Sequence, residues 1–164
     1  MERHGFKGSK AGKSEASPVS GLFRRALLLP ALLLLSLAAC GKGEIKPVEL
    51  LPEDVCANCK MAISQKTFAA EILDSEQTAV KFDDIGCLAR YISKRGRKYQ
   101  VAAWFVTDRD SKTWIDATKA WYVQSDSIRS PMGSWIVAYR ERNRAETAAA
   151  QPGYRLRTFA EIVP

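Results

Sequence analysis

The sequence predicts an α+β fold: two β-β-α-β modules forming a pseudo-duplicated small domain, set behind a signal peptide and a tether. Three observations carry this expectation. Of the 164 residues, 46% are hydrophobic and 26% charged, the balance of a globular chain rather than a disordered or fibrous one. Short apolar runs of strand length dominate, bounded by polar turns, and only two segments have helical character. The order strand, strand, helix, strand is then met twice between residues 67 and 159, although the two halves share no clear repeat in sequence.

The elements follow in chain order. Residues 1–39 hold six basic and two acidic side chains, and Ala26 to Ala39 is a 14-residue run without charge. That run is too short to cross a bilayer, which takes about 20 apolar residues. A basic leader, a short apolar stretch and small residues at its end describe an export signal. The formal charge of +7 therefore belongs largely to the leader, and the remainder carries only +3, which removes the argument from charge to a nucleic-acid partner. Residues 40–52, with two prolines and two glycines, read as a tether, and residues 53–164 as the folded domain.

Within the domain, Thr67–Leu73 and Thr78–Phe82 are strand candidates joined by the turn Asp74-Ser75-Glu76-Gln77. Asp83 is the expected N-cap of a helix whose apolar positions Ile85, Leu88, Ala89 and Ile92 recur at helical spacing up to Gly96. Tyr99–Thr107 closes the first module as a strand. In the second, Lys119–Gln124 and Trp135–Arg140 are strands, Glu141–Gln151 is an alanine-rich helix stopped by Pro152-Gly153, and Tyr154–Phe159 is the last strand.

The chemistry concentrates in Cys56-Ala57-Asn58-Cys59-Lys60-Met61, a C-x-x-C-x-M string. Two thiols and a thioether within six residues are soft donors of the kind that select Cu(I). Other readings stay open at this point: a structural disulfide, a redox pair, or half of a zinc site. Zinc is disfavoured because His4 is the only histidine and falls in the leader. Cys87 reads either as a small core hydrophobe or as a further ligand. Met132, in the loop Ser130-Pro131-Met132-Gly133, is a candidate thioether ligand. No catalytic residue is predicted: without a histidine after the leader there is no Ser-His or Cys-His nucleophile. Asp83-Asp84 is accounted for by the preference of helix N-termini for acids.

The string Leu37-Ala38-Ala39-Cys40 resembles a bacterial lipobox, which implies cleavage before Cys40 and lipidation of its thiol. Further on come Cys56-x-x-Cys59-x-Met61, Phe68-Ala69-Ala70-Glu71, Phe82-Asp83-Asp84-Ile85-Gly86-Cys87, Trp114-Ile115-Asp116-Ala117 and Ser130-Pro131-Met132-Gly133. Taken in this order, the sequence resembles the NosL family along the whole mature chain. The resemblance implies a membrane-anchored, non-enzymatic Cu(I) carrier that serves nitrous oxide reductase or its assembly machinery. It implies export and a lipid anchor facing the periplasm, and Gly41 after Cys40 leans towards the outer membrane. Its expected metal ligands are Cys56, Cys59, Met61 and Met132, with Cys87 in reserve. Many members carry glycine where this chain has Lys60, and some use a histidine ligand that has no counterpart here. The alternative is a thiol–disulfide oxidoreductase acting through Cys56 and Cys59 to maintain copper-site cysteines.

Overall fold

A computed structural model of the chain describes residues 44–96 and 98–163. The expected signal peptide and Cys40 lie outside the described residues. Among those described, no helix is long and apolar enough to cross a membrane.

The first module opens with a single 3-10 turn, Lys66–Phe68, where a strand start was expected, and continues as β1 (Ala70–Asp74) and β2 (Ala79–Phe82). The turn between them is held by Asp74, whose Oδ1 accepts the N–H groups of Glu76 and Thr78, each at 2.9 Å. Helix α1 (Ile85–Arg95) follows, then β3 (Val101–Thr107) and β4 (Trp114–Asp116). The second module comprises β5 (Trp121–Gln124), β6 (Ile136–Tyr139), α2 (Arg142–Ala149), β7 (Arg155–Arg157) and a last turn of helix, α3 (Phe159–Ile162). The sheets run β2-β1-β3-β4 and β6-β5-β7. In each module the first strand lies in the middle and pairs antiparallel with the second and with the strand after the helix. The two halves therefore repeat one topology, as expected from the element order.

Several boundaries differ from expectation for identifiable reasons. The N-cap of α1 is Asp84, not Asp83: the Asp84 Oδ1 accepts the Gly86 N–H at 2.6 Å, while Asp83 faces the cysteines. Gly96 ends the helix as expected, with φ 72°, its N–H bonded to the Ile92 carbonyl. Tyr99 stays outside β3 because its ring packs edge-on against Tyr91, and Arg95 lies over both rings. The expected last strand stops at Arg157 because Thr158 and Glu161 form a capping box that starts α3. Strand β4 was not expected at all; its three residues pair with the end of β3.

Two apolar cores result. The larger joins β1, β2 and α1 to Ala117, Tyr122, Ile136 and Ala138 of the second half. The smaller gathers Phe68, Val123, Val137, Tyr139 and Ala145. Between the sheets, buried Asp108 accepts the Ser111 and Arg140 N–H groups. The chain before the domain is also held. The Val48 N–H donates to the buried Glu71 carboxylate at 2.8 Å, and the Lys81 ammonium reaches the Glu49 carbonyl at 2.7 Å and Asp54 at 2.6 Å.

The loop from Ser130 to Trp135 is seated on the start of α1. The Met132 N–H donates to Asp84 Oδ2 at 3.1 Å, and a Cβ on Gly86 would stand only 2.5 Å from the Ser134 Cβ. Position 86 thus has no room for a side chain. A Gly86→Ala substitution should destabilise the fold by about 1–3 kcal/mol, the usual penalty of overpacking a closed contact, read as a lowered thermal midpoint in circular dichroism.

Candidate metal centre

The segment carrying Cys56 and Cys59 is a closed loop on the edge of β2. Residues Val55 and Ala62 form an isolated antiparallel bridge across its neck. Inside it, the Cys56 N–H donates to the Met61 carbonyl at 2.8 Å and the Lys60 N–H to the Cys56 carbonyl at 2.9 Å. The Ala57 N–H donates to the Lys81 carbonyl at 2.9 Å, pinning the loop to β2. Closing this turn places Lys60 at φ 66°, a left-handed conformation that glycine enters freely and a side chain enters with strain. That is the physical reason a glycine suits this position.

The next residues after β2 complete the group. Asp83 lies between strand and helix, and Cys87 in the buried first turn of α1. The Sγ atoms of Cys56, Cys59 and Cys87 and a carboxylate oxygen of Asp83 all lie within 4.8 Å of one another. Metal–thiolate bonds are about 2.3 Å long, which sets sulfurs sharing one ion roughly 4–4.6 Å apart. The cluster therefore has the dimensions of a metal site, and its donor set is dominated by soft sulfur. All three cysteines are free thiols, so the structural disulfide is not what this structure holds.

When no metal is present, the surroundings favour the protonated thiols of Cys56 and Cys87. Burial, with help from the Asp83 carboxylate, pushes the Cys56 thiol up to about 12, against opposing backbone N–H groups. Burial also raises Cys87, partly offset by the Asn58 amide and the Arg90 guanidinium, each 3.5 Å from its sulfur. The Cys59 thiol donates to Asp83 Oδ1 at 3.5 Å. Cys56 and Cys87 are fully buried and Cys59 only partly, so solvent meets the cluster at Cys59.

The predicted residues are distributed unevenly around this centre. Cys56, Cys59 and Cys87 come together. Met61 leaves the loop with its side chain 58% exposed. Met132 packs half-buried against the larger core, and its N–H ends on Asp84, the residue after Asp83. As the expected N-cap, Asp83 had no other role in the sequence; the structure gives the cap to Asp84 and leaves Asp83 facing the thiols.

The fold and the cluster together define a class: a two-module α+β domain that holds a sulfur-rich cluster of metal-site dimensions. The chain belongs to the NosL family, whose sequence profile matches residues 47–164. It is 26% identical over 148 residues to the copper-binding lipoprotein NosL of Stutzerimonas stutzeri, covering 82% of this chain and 78% of that protein. The crystal structure of the copper chaperone NosL from Shewanella denitrificans superposes with a TM-score of 0.64 at 22% identity, over 73% of this chain and 97% of that one, and shares the fold.

In the reduced, metal-free protein, Cys59 should alkylate fastest at pH 7.5. Cys56 and Cys87 should lag by at least about tenfold, because a buried thiol far below its pKa offers almost no thiolate. Peptide mapping after timed iodoacetamide labelling reads the order directly.

Proposed function

We propose that this protein is an exported, lipid-anchored carrier of Cu(I), without catalytic activity, that hands its cargo to nitrous oxide reductase or a related exported copper enzyme during metal-centre assembly. The observation that carries the reading is the convergence of three free thiols on one buried pocket. The names of its relatives, a copper-binding lipoprotein and a copper chaperone, support it. The lipobox-like Leu37-Ala38-Ala39-Cys40 supports the anchor, since acyl chains hold a domain at a bilayer through about 0.8 kcal/mol per buried CH₂.

In this reading Cys56, Cys59 and Cys87 supply thiolates, and Met61 and Met132 supply thioethers. Copper enters and leaves at Cys59, the partly exposed thiol. Loading displaces the thiol protons that burial and Asp83 retain in the empty site. Asp83, a hard oxygen donor, is a poor ligand for a soft ion, and serves by accepting a thiol hydrogen bond in the empty protein. An acceptor's ligands then replace Cys59 first and the buried sulfurs last.

Anaerobic competition against a chromogenic Cu(I) chelator tests this. Cys56→Ser, Cys59→Ser and Cys87→Ser should each weaken Cu(I) binding at least about tenfold, near 1.4 kcal/mol. Met61→Leu conserves volume and apolarity, so any loss of affinity it causes reports the thioether. Unchanged affinity in all three cysteine variants would overturn the carrier reading and favour disulfide exchange.

A further inference from the structure

The cluster opens to solvent at Cys59, and the residue that follows it is a strained lysine. Lys60 holds φ 66° because the loop closes through its own N–H, yet its side chain is exposed and, among the described residues, makes no hydrogen bond or ion pair that would offset the strain. Strain of this kind persists where the surroundings enforce it and gathers at functional surfaces.

Two further cations border the same cluster through Cys87 and Asn58. The Arg90 Nη2 is 3.5 Å from the Cys87 sulfur. The Lys94 ammonium donates at 3.1 Å to the Asn58 Oδ1, whose own amide reaches Cys87. Both residues are exposed, and α1 carries Arg90, Lys94 and Arg95 with no carboxylate along its length. Of the acids nearest the cluster, Asp83 is 2% exposed, Asp84 is fully buried and Asp54 is paired with Lys81, which leaves Glu53, beyond the neck of the loop, as the exposed carboxylate of this segment. The cysteine loop itself also exposes two apolar residues, Val55 at 57% and Met61, next to Lys60, at 58%. A partner that reaches Cys59 must cross a cationic rim with an apolar lip.

We propose that Lys60, Arg90 and Lys94 form a docking surface for an acidic protein, one that presents aspartates or glutamates beside its own copper ligands. The proposal rests on the copper-carrier reading and names the partner's surface chemistry. Complementary charge of this kind raises encounter rates and fixes orientation more than it adds affinity. Lys60 then acts on transfer rate and not on copper affinity, which separates it from the thiols.

The test is stopped-flow transfer of Cu(I) from the exported protein in neutral detergent to two synthetic Cys-x-x-Cys peptides. One is flanked by four aspartates and the other by four lysines. Transfer to the aspartate peptide should be at least about tenfold faster at low salt, and the gap should close near 0.5 M salt by screening. Lys60→Glu should cut the preference by about threefold to tenfold while chelator competition returns the native Cu(I) affinity. Lys60→Gly should also lower the preference but raise the thermal midpoint, whereas a merely structural lysine would move the midpoint alone. Equal rates to both peptides at low salt overturn the proposal. So does loss of binding to anionic phosphatidylglycerol vesicles in Lys60→Glu without any peptide preference, which would assign the rim to a membrane. Failure to hold Cu(I) in the chelator assay would strike the carrier reading alone. Fluorescence anisotropy of the metal-free protein with the aspartate peptide still decides the docking surface.

Discussion

The buried carboxylate of Asp84 holds the start of α1 and the Met132 loop in register. One oxygen caps the first turn of α1 through the Gly86 N–H, and the other takes the Met132 N–H from a loop 48 residues further on. A fully buried carboxylate is tolerated only when its oxygens are hydrogen-bonded, and removing a partner leaves an expensive orphan. The bond therefore fixes the start of the helix and, with it, the placement of Cys87 three residues later. It also brings Ser134 against Gly86, which is why a side chain at position 86 has nowhere to go. With Asp84 committed to the backbone, Asp83 is free to face the thiols.

This division between adjacent aspartates shows what the sequence could and could not convey. Both residues fit the N-cap position of the same helix pattern, and local propensity does not distinguish them. The helix itself was legible from its apolar spacing and Gly96, as was the β-β-α-β order of each half. The third strand was expected from Tyr99, but aromatic stacking onto Tyr91 and Arg95 keeps that residue out of the sheet. The three residues of β4 are too few for a period to show, and their pairing with β3 is a tertiary decision. The start of α3 did leave a local mark, since Thr158 and Glu161 stand at capping-box spacing; the strand pattern before them obscured it.

The site was half legible for a similar reason. Cys56, Cys59 and Met61 announce themselves by proximity in the chain. Cys87 does not, because a cysteine on the buried face of a helix reads as a small hydrophobe, and here it is buried as well as clustered. Only the pairing of β1 and β2, followed directly by α1, carries the first turn of the helix back to the cysteine loop. The strain at Lys60 was likewise invisible in composition. It follows from a loop closed by the Cys56 and Lys60 N–H bonds and the Val55–Ala62 bridge.

The arrangement also bears on how a tight sulfur site can still release what it binds. Three thiolates in a buried pocket would repel one another and, with Asp83 beside them, place four negative charges in a poorly solvated space. Burial instead keeps Cys56 protonated far above neutral pH, which reduces the negative charge the empty site holds. In the proposed Cu(I) carrier, loading would displace these protons and unloading would return them, which would tie release to protonation. The Arg90 guanidinium and Asn58 amide at the Cys87 sulfur offset the charge of the loaded state from outside the pocket. The depth of the sulfurs then orders their release. In the proposed carrier, Cys59 is the sulfur an incoming ligand would reach first, and the buried Cys56 and Cys87 the last.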